Sequence, residues 1–298
     1  MALDAKRVQK PVRKLRKLLN RMPSDPAPED VHDLRTNCRR IEAMLPALSF
    51  HSKPQGRRML KRISKLRKRA GKVRDMDVFT AYVMKLPDLQ NEQECSVQLL
   101  EHMGAKRRKY ANKLNGVRLR YRSSLRKTLK RTSKLMKRSL PEDSSLNLDA
   151  TSANARATSN ALQLLTRLSA PRKLGRANLH PFRLHVKELR SILQMSGDTR
   201  QQNFIDRLDE VKDAIGEWHD WEELGGIANK FLAHHGQCHL LQEIRTIAAS
   251  KYRHALRQSQ SLRKEFLGVA EGSRSRSSRN QSRIPAQPVW AATAALAA

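Results

Sequence analysis

Apolar residues step along this chain by threes and fours. Val31, Leu34, Cys38, Ile41, Leu45 and Leu48 form one such seam, and Leu179, Phe182, Val186, Leu189 and Leu193 form another. That spacing is the buried stripe of an amphipathic helix packed into a bundle. The rhythm recurs in Val8, Val12, Leu15, Leu18 and Leu19, in Met59, Ile63, Leu66, Ala70 and Val73, and in Tyr110, Leu114, Val117, Tyr121, Leu125, Leu129 and Leu135. It predicts helices over about 4–21, 29–50, 57–86 and 91–139, then 153–169, 178–196, 199–233 and 237–267. A proline-rich run at 23–28 ends the first, 51–56 reads as a turn, Pro87 closes the third, and Asn178 suits an N-cap. The fold class is all-α.

Polar positions beside two of the seams repeat as well. His32, Arg35 and Arg39 have the same spacing as His180, Arg183 and Lys187, with Arg190 one turn further on. Each trio lies one position along from its seam, at the rim of the buried face, where long side chains lean over apolar neighbours and still reach water. Downstream, Gly71-Lys72-Val73-Arg74-Asp75-Met76-Asp77 answers to Gly216-Glu217-Trp218-His219-Asp220-Trp221-Glu222 at nearly the same distance from the histidine. Two matched motifs in the same order predict an internal duplication, with a period far too long for a solenoid. The expected organisation is two duplicated four-helix bundles, 1–140 and 153–267, with long basic helices around a positively charged groove. An acidic, polar linker spans 141–152. The Ser/Arg-rich tail at 268–298 cannot bury a core and is expected to be disordered.

The VHDLR stretch with Arg39-Arg40, the GKVRDMDV stretch at 71–78 and the echoes of both at 179–190 and 216–223 resemble the CHAD domain, a histidine-containing α-helical domain. The resemblance covers roughly residues 4 to 267. The second copy departs from the first at Pro181, at Glu188 in place of a cation, and at Glu217-Trp218-His219. What the resemblance implies is a pair of four-helix bundles whose basic surface binds inorganic polyphosphate, without catalysis. It also implies association with polyphosphate granules and with polyphosphate-metabolising enzymes.

Charge narrows the partner independently. Sixty Lys and Arg stand against 28 Asp and Glu, a net +32. That excess goes beyond what solubility needs and points to a polyanion. Nucleic acid, anionic membrane and polyphosphate all satisfy charge alone. The three cysteines have no paired spacing, and Cys38 on its seam reads as a small buried residue. The N-terminal stretch lacks a secretory apolar run and no stretch reaches membrane-spanning length, so a soluble, cytoplasmic protein without a membrane partner is expected.

Phosphate oxygens call for charge-assisted donors: the planar fork of Arg, or the point charge of Lys. The candidate groove centres on Arg35, Arg39, Arg40, Arg74, Arg183, Lys187 and Arg190. Arg58, Arg62, Lys65, Arg69 and Lys72 extend it along one helix, and Lys106, Lys113, Arg120, Lys127 and Lys134 recur every seven residues as a track for a linear anion. Arg253 and Arg257 add charge from the last helix, which also carries Lys251, Arg263 and Lys264. His32 and His180 would either donate to phosphate or bridge helices within the bundle. Asp75, Asp77, Asp220 and His219 would hold an arginine or histidine in its working rotamer; a divalent cation shared with phosphates is the other use of the carboxylates.

Other chemistries find little material. The His234-His235-Gly-Gln-Cys238-His239 cluster lacks the separated pair of a zinc site, so no metal and no cofactor are expected. No GxxxxGK[ST] loop is present, nor the ExExK signature of the triphosphate-tunnel enzymes that the CHAD family often accompanies. Nonspecific DNA or RNA binding is the main alternative, since counterion release would drive it equally. Against it, only 6 Phe, 3 Trp and 4 Tyr are available for base stacking, mostly on apolar seams. A further alternative is an accessory subunit of a phosphate-metabolising enzyme.

Overall fold

Each stepped apolar run is a helix in the computed structural model, which describes residues 4–47, 54–86, 93–139, 148–196, 198–232 and 238–269. In chain order these are α1 (Ala5–Arg21), α2 (Pro28–Ala47), α3 (Pro54–Val83), α4 (Gln93–Ser139), α5 (Leu148–Ser169), α6 (Arg176–Ser196), α7 (Gln202–Phe231) and α8 (His239–Phe266). A 3-10 turn, Thr199–Gln201, leads into α7. Every regular element among the described residues is helical, so the fold is all-α. No helix among them is long and apolar enough to cross a membrane.

The ends differ from expectation where local chemistry outweighs periodicity. Helix α3 begins at Pro54 rather than 57, because proline at the first helical position loses a donor that would be unpaired anyway. Helix α5 begins at Leu148, taking in the end of the expected linker; the rest of that linker and the tail from 270 lie outside the described residues. Asn178 is not the N-cap of α6. It sits inside the first turn, and its Oδ1 accepts the Gly175 N–H at 2.8 Å, the reaching-back half of a capping box. Asp4 caps α1, accepting from the Lys6 and Arg7 amides at 2.7 and 3.2 Å. At the far end of the fold, Gly268 takes φ 63°, which lets Val269 N–H turn back to the Arg263 carbonyl.

The seams are the core. Val31, Leu34, Cys38, Ile41 and Leu45 are buried, as are Leu179, Phe182, Val186, Leu189 and Leu193, each full burial worth about 1.5–3 kcal/mol for the larger side chains. Leu48 lies outside the described residues. One position fails: Leu135 is 42% exposed, and Thr132 and Met136 turn inward instead. Leu135 stands six residues after Leu129, a step that turns it off the face, whereas Thr132 and Met136, three and seven residues after Leu129, keep the spacing and stay on the face.

Helices α1 and α3 both pack against α2 and α4; α6 lies between α5 and α7, and α7 packs along α8. The two halves meet where α2 touches α5 and α6 and where α3 touches α7. One apolar cluster runs through both halves, with Leu15, Leu34 and Ile63 continuous with Phe182, Val211 and Leu262. A smaller one joins Phe79, Val83 and Leu99 to Trp221, Leu241 and Ile244. Burying the seams therefore presses the helices that carry the matched motifs against one another.

Two cations are structural. Arg263, expected on the basic face of α8, is buried at 1% exposure; its guanidinium donates to the Pro171 and Ser169 carbonyls where α5 ends. A cation there satisfies acceptors that a helix C-terminus leaves open. Arg107 donates from Nε to Asp77 at 2.6 Å, from Nη1 to Asp25 at 2.8 Å and from Nη2 to the Pro26 carbonyl at 2.8 Å. Asp77 therefore pins α4 to α3, where the sequence suggested a partner in the groove. Because Asp77 is nearly buried, Arg107→Ala leaves a carboxylate unpaired at a cost of about 3 kcal/mol. The thermal midpoint should drop by several degrees, and Arg107→Ala/Asp77→Leu should recover a large part of the loss; an unchanged midpoint in the single variant rules the pin out.

Candidate anion-binding site

The matched motifs line one cavity of about 730 Å³. Helix α2 contributes His32, Arg35, Arg39 and Arg40, and α3 contributes Arg74 and Asp75. From the other half come Arg183, Lys187 and Arg190 on α6, and Lys212, Gly216 and Asp220 on α7; His254 and Gln258 on α8 complete the wall.

In the second half the pairing of glycine with arginine has a steric cause. A Cβ on Gly216 would lie 2.2 Å from Arg183 Nη2 and 2.9 Å from its Cζ. The guanidinium thus crosses the α7 backbone where there is no side chain, and its Nε donates to the Lys212 carbonyl at 3.1 Å. In the first half Gly71 faces Arg35 in the same way, but with an ordinary contact of 3.7 Å to Nε. One turn beyond each glycine is an aspartate, Asp75 or Asp220, close enough to the arginines to feel their charge.

The centre of the cavity holds too many cations for its own acids. Among the described residues, none of Arg35, Arg39, Arg183 and Lys187 is held in a salt bridge, whereas Arg190 pairs with Asp209 at 2.5 Å and Lys212 with Asp209 and Asp213 at the edge. Lys187 is 8% exposed; burial first, and then Arg183, Arg39 and Arg35, push its ammonium down to about 6. Burial and the neighbouring Arg35 and Arg183 bring Arg39 down to about 9. Arg183 and Arg40 are also lowered, chiefly by burial. Asp75 is pushed up to about 6 by burial against the pull of Arg35, and Asp220 is raised for the same first reason. These two carboxyls are outnumbered by the cations that line the cavity with them. Between about pH 6 and Lys187's ordinary 10.5, the unfolded chain binds a proton that the folded cavity releases. Stability of the unliganded protein therefore rises with pH across that window.

The two motif histidines separate. His32 is exposed at the cavity wall, its Nε2 3.5 Å from the Thr36 hydroxyl, and burial together with Arg74 holds its imidazole below the usual range. His180 does not line the cavity; its ring packs on His219 with centroids 4.6 Å apart, and His219 reaches Glu223 at 3.5 Å. His180 thus bridges α6 and α7, and His219 props that ring rather than an arginine.

The extended cations scatter. Arg62, Lys65 and Arg120 gather around the Tyr121 ring at 5.5, 5.9 and 5.8 Å from its centroid. Lys72 and Lys106 line a separate hollow of about 480 Å³, with Lys72 5.5 Å from the Tyr110 centroid. Lys127 faces a third groove beside α1. The seven-residue line is therefore not one track, because a repeat of seven drifts around a straight helix by about 20° at each step. Arg58, Arg69, Lys113, Arg253 and Arg257 also fall outside the cavity lining. Lys212 was missed, although a signal existed: it stands one turn before Gly216 as Arg67 stands one turn before Gly71. Tyr82, Thr36, His254 and Gln258 carry no motif that would have placed them. His234 and His235 lie outside the described residues, and among those described no group of three His, Cys, Asp or Glu stands placed to hold a metal.

An all-helical protein with two histidine-containing motifs converging on a basic cavity defines the class. The CHAD domain family model matches residues 6–229, and the chain belongs to that family. The crystal structure of the CHAD domain from the plant Ricinus communis is similar in fold, with a TM-score of 0.61 at 18% identity over 89% of this chain and 93% of that one. No curated protein sequence matches the chain.

The glycine geometry yields an asymmetric expectation. Gly216→Ala should displace the Arg183 guanidinium and weaken polyanion binding roughly tenfold, the worth of a charge-assisted hydrogen bond, while Gly71→Ala should change it little. Titration calorimetry of both variants with the same polyanion checks this; equal effects would remove the proposed steric role.

Proposed function

We propose that this protein binds inorganic polyphosphate in the cavity between α2, α3, α6 and α7, as a binding module without catalysis of its own. The observation that carries the reading is the group Arg35, Arg39, Arg183 and Lys187, crowded together without salt-bridge partners among the described residues and with Lys187 almost fully buried. Such a group is costly until an anion enters, and a ligand dense in charge and free of bases relieves it best. Three arginine forks can each take two phosphate oxygens, while the lysine supplies a point charge that tolerates sliding. The lining offers Tyr82 as its one aromatic ring besides the histidines, which is little for stacking bases. Membership of the CHAD family fits the same ligand. Location at polyphosphate granules, and contact with enzymes that make or consume the polymer, belong to the same proposal.

Competition at near-physiological salt tests it. Labelled long-chain polyphosphate should be displaced by unlabelled polyphosphate and far less by duplex DNA at equal phosphate concentration. Arg35→Ala/Arg183→Ala, with helicity verified by circular dichroism, should lose that preference. Equal displacement by DNA, with the double variant losing only the share of two cations, would leave a general polycation in place of a shaped site.

A further inference from the structure

A second basic surface lies away from the cavity and is built differently. Between α1 and α4 runs an open groove of about 640 Å³ lined by Arg16, Leu119, Arg122, Arg126, Lys127 and Lys130, together with one serine and no carboxylate. The α4 members recur at helical spacing along one face, spanning about 16 Å at 1.5 Å per residue. The absence of acid extends beyond the lining: α1 contains none, and the sequence holds no Asp or Glu between Glu101 and Glu142. A face that serves only solubility gains from mixed signs through pairs three and four residues apart, and this one forgoes them.

The groove has a firm base. Arg118, 6% exposed, reaches under it to the Leu19 carbonyl at 3.5 Å and to Asn115 Oδ1 at 2.7 Å, and Arg122 donates to Asn20 Oδ1 on α1 at 2.7 Å. With α1 fixed to α4 in this way, Arg126, Lys127 and Lys130 stand exposed along one face of α4. The cavity cations converge and are desolvated, which suits a single flexible chain drawn in among them. The cations of the α1/α4 face are strung along one helix and stay exposed to water. A stiff polyanion with regularly spaced phosphates meets such a surface without first having to be straightened, whereas a flexible chain gives up conformational freedom to do so. Binding of that kind is driven by release of condensed counterions and reads no sequence.

We propose that the α1/α4 face binds the phosphate backbone of double-stranded nucleic acid independently of the cavity, so that one molecule can hold a duplex outside and a smaller anion within. The inference does not depend on what the cavity binds.

The test uses the full chain and Arg126→Gln/Lys127→Gln/Lys130→Gln, which keeps good helix formers and leaves Arg118 and Arg122 in place. A labelled 20-base-pair duplex is titrated at several salt concentrations, with and without a short polyphosphate held at a concentration that saturates its own binding. The expected result is duplex binding that survives saturation with short polyphosphate. The triple variant should show a slope of log affinity against log salt shallower by about 3, with unchanged affinity for the short polyphosphate. Arg35→Ala/Lys187→Ala should leave duplex binding intact; if it also leaves polyphosphate binding intact, the cavity reading fails while this one stands. Duplex binding that is abolished by short polyphosphate, or unaffected in the triple variant, overturns the inference. So does a triple variant that loses polyphosphate and duplex in equal measure. If the variant loses binding to vesicles of one-third phosphatidylserine but not to duplex, the face belongs to a membrane surface and the inference is wrong.

Discussion

The structure depends on a repulsion that packing overcomes. Burying the apolar seams of α2 and α6 brings Arg35 and Arg39 up against Arg183 and Lys187, and these cations have no salt-bridge partners among the described residues. Hydrophobic burial elsewhere must carry that cost, since the core runs continuously through both halves while the cations occupy a small volume. Each cation lowers the charge affinity of the next, most visibly at Lys187. The unliganded cavity is therefore a state of raised electrostatic free energy, which an entering anion lowers.

Two devices keep the cluster in shape. Glycine beneath arginine is the first: Gly216 lets Arg183 lie across α7 and donate to a backbone carbonyl, fixing the fork before any ligand arrives. The half-buried aspartates are the second. Asp75 and Asp220 attract Arg35, Arg183 and Arg74 by their charge, although burial raises both carboxyls and they are too few to cancel the cations. The histidine that both motif copies contain serves two ends, one at the cavity wall and one in a ring stack between helices. A repeated residue type need not keep a repeated role.

Much of this was legible in the sequence because it rests on periodicity. The steps of three and four located five of the helices among the described residues and nearly every residue of their seams, and the paired motifs marked the cavity cations apart from Lys212. What periodicity could not give was direction around a long helix. The line from Lys106 to Lys134 looked continuous because seven residues are almost two turns, but the drift over α4 carries Lys106 and Lys127 into different grooves. Nor could it separate a solvated cation from a buried one: Arg263 and Arg107 were indistinguishable in sequence from their basic neighbours, and only the carbonyls and carboxylates around them give them structural roles. Asp77 was assigned to the groove for the same reason.

The central claim is that crowding and burial hold Lys187 short of its full charge until an anion arrives, and proton uptake measures this most directly. Calorimetric titration of long-chain polyphosphate at pH 7, in buffers of different ionisation enthalpy, gives the number of protons bound with the ligand. Lys187 should bring net uptake to about one proton per molecule, and Lys187→Met should remove most of it. Heats that do not vary with the buffer would mean that the cations are fully charged beforehand, and would contradict the account.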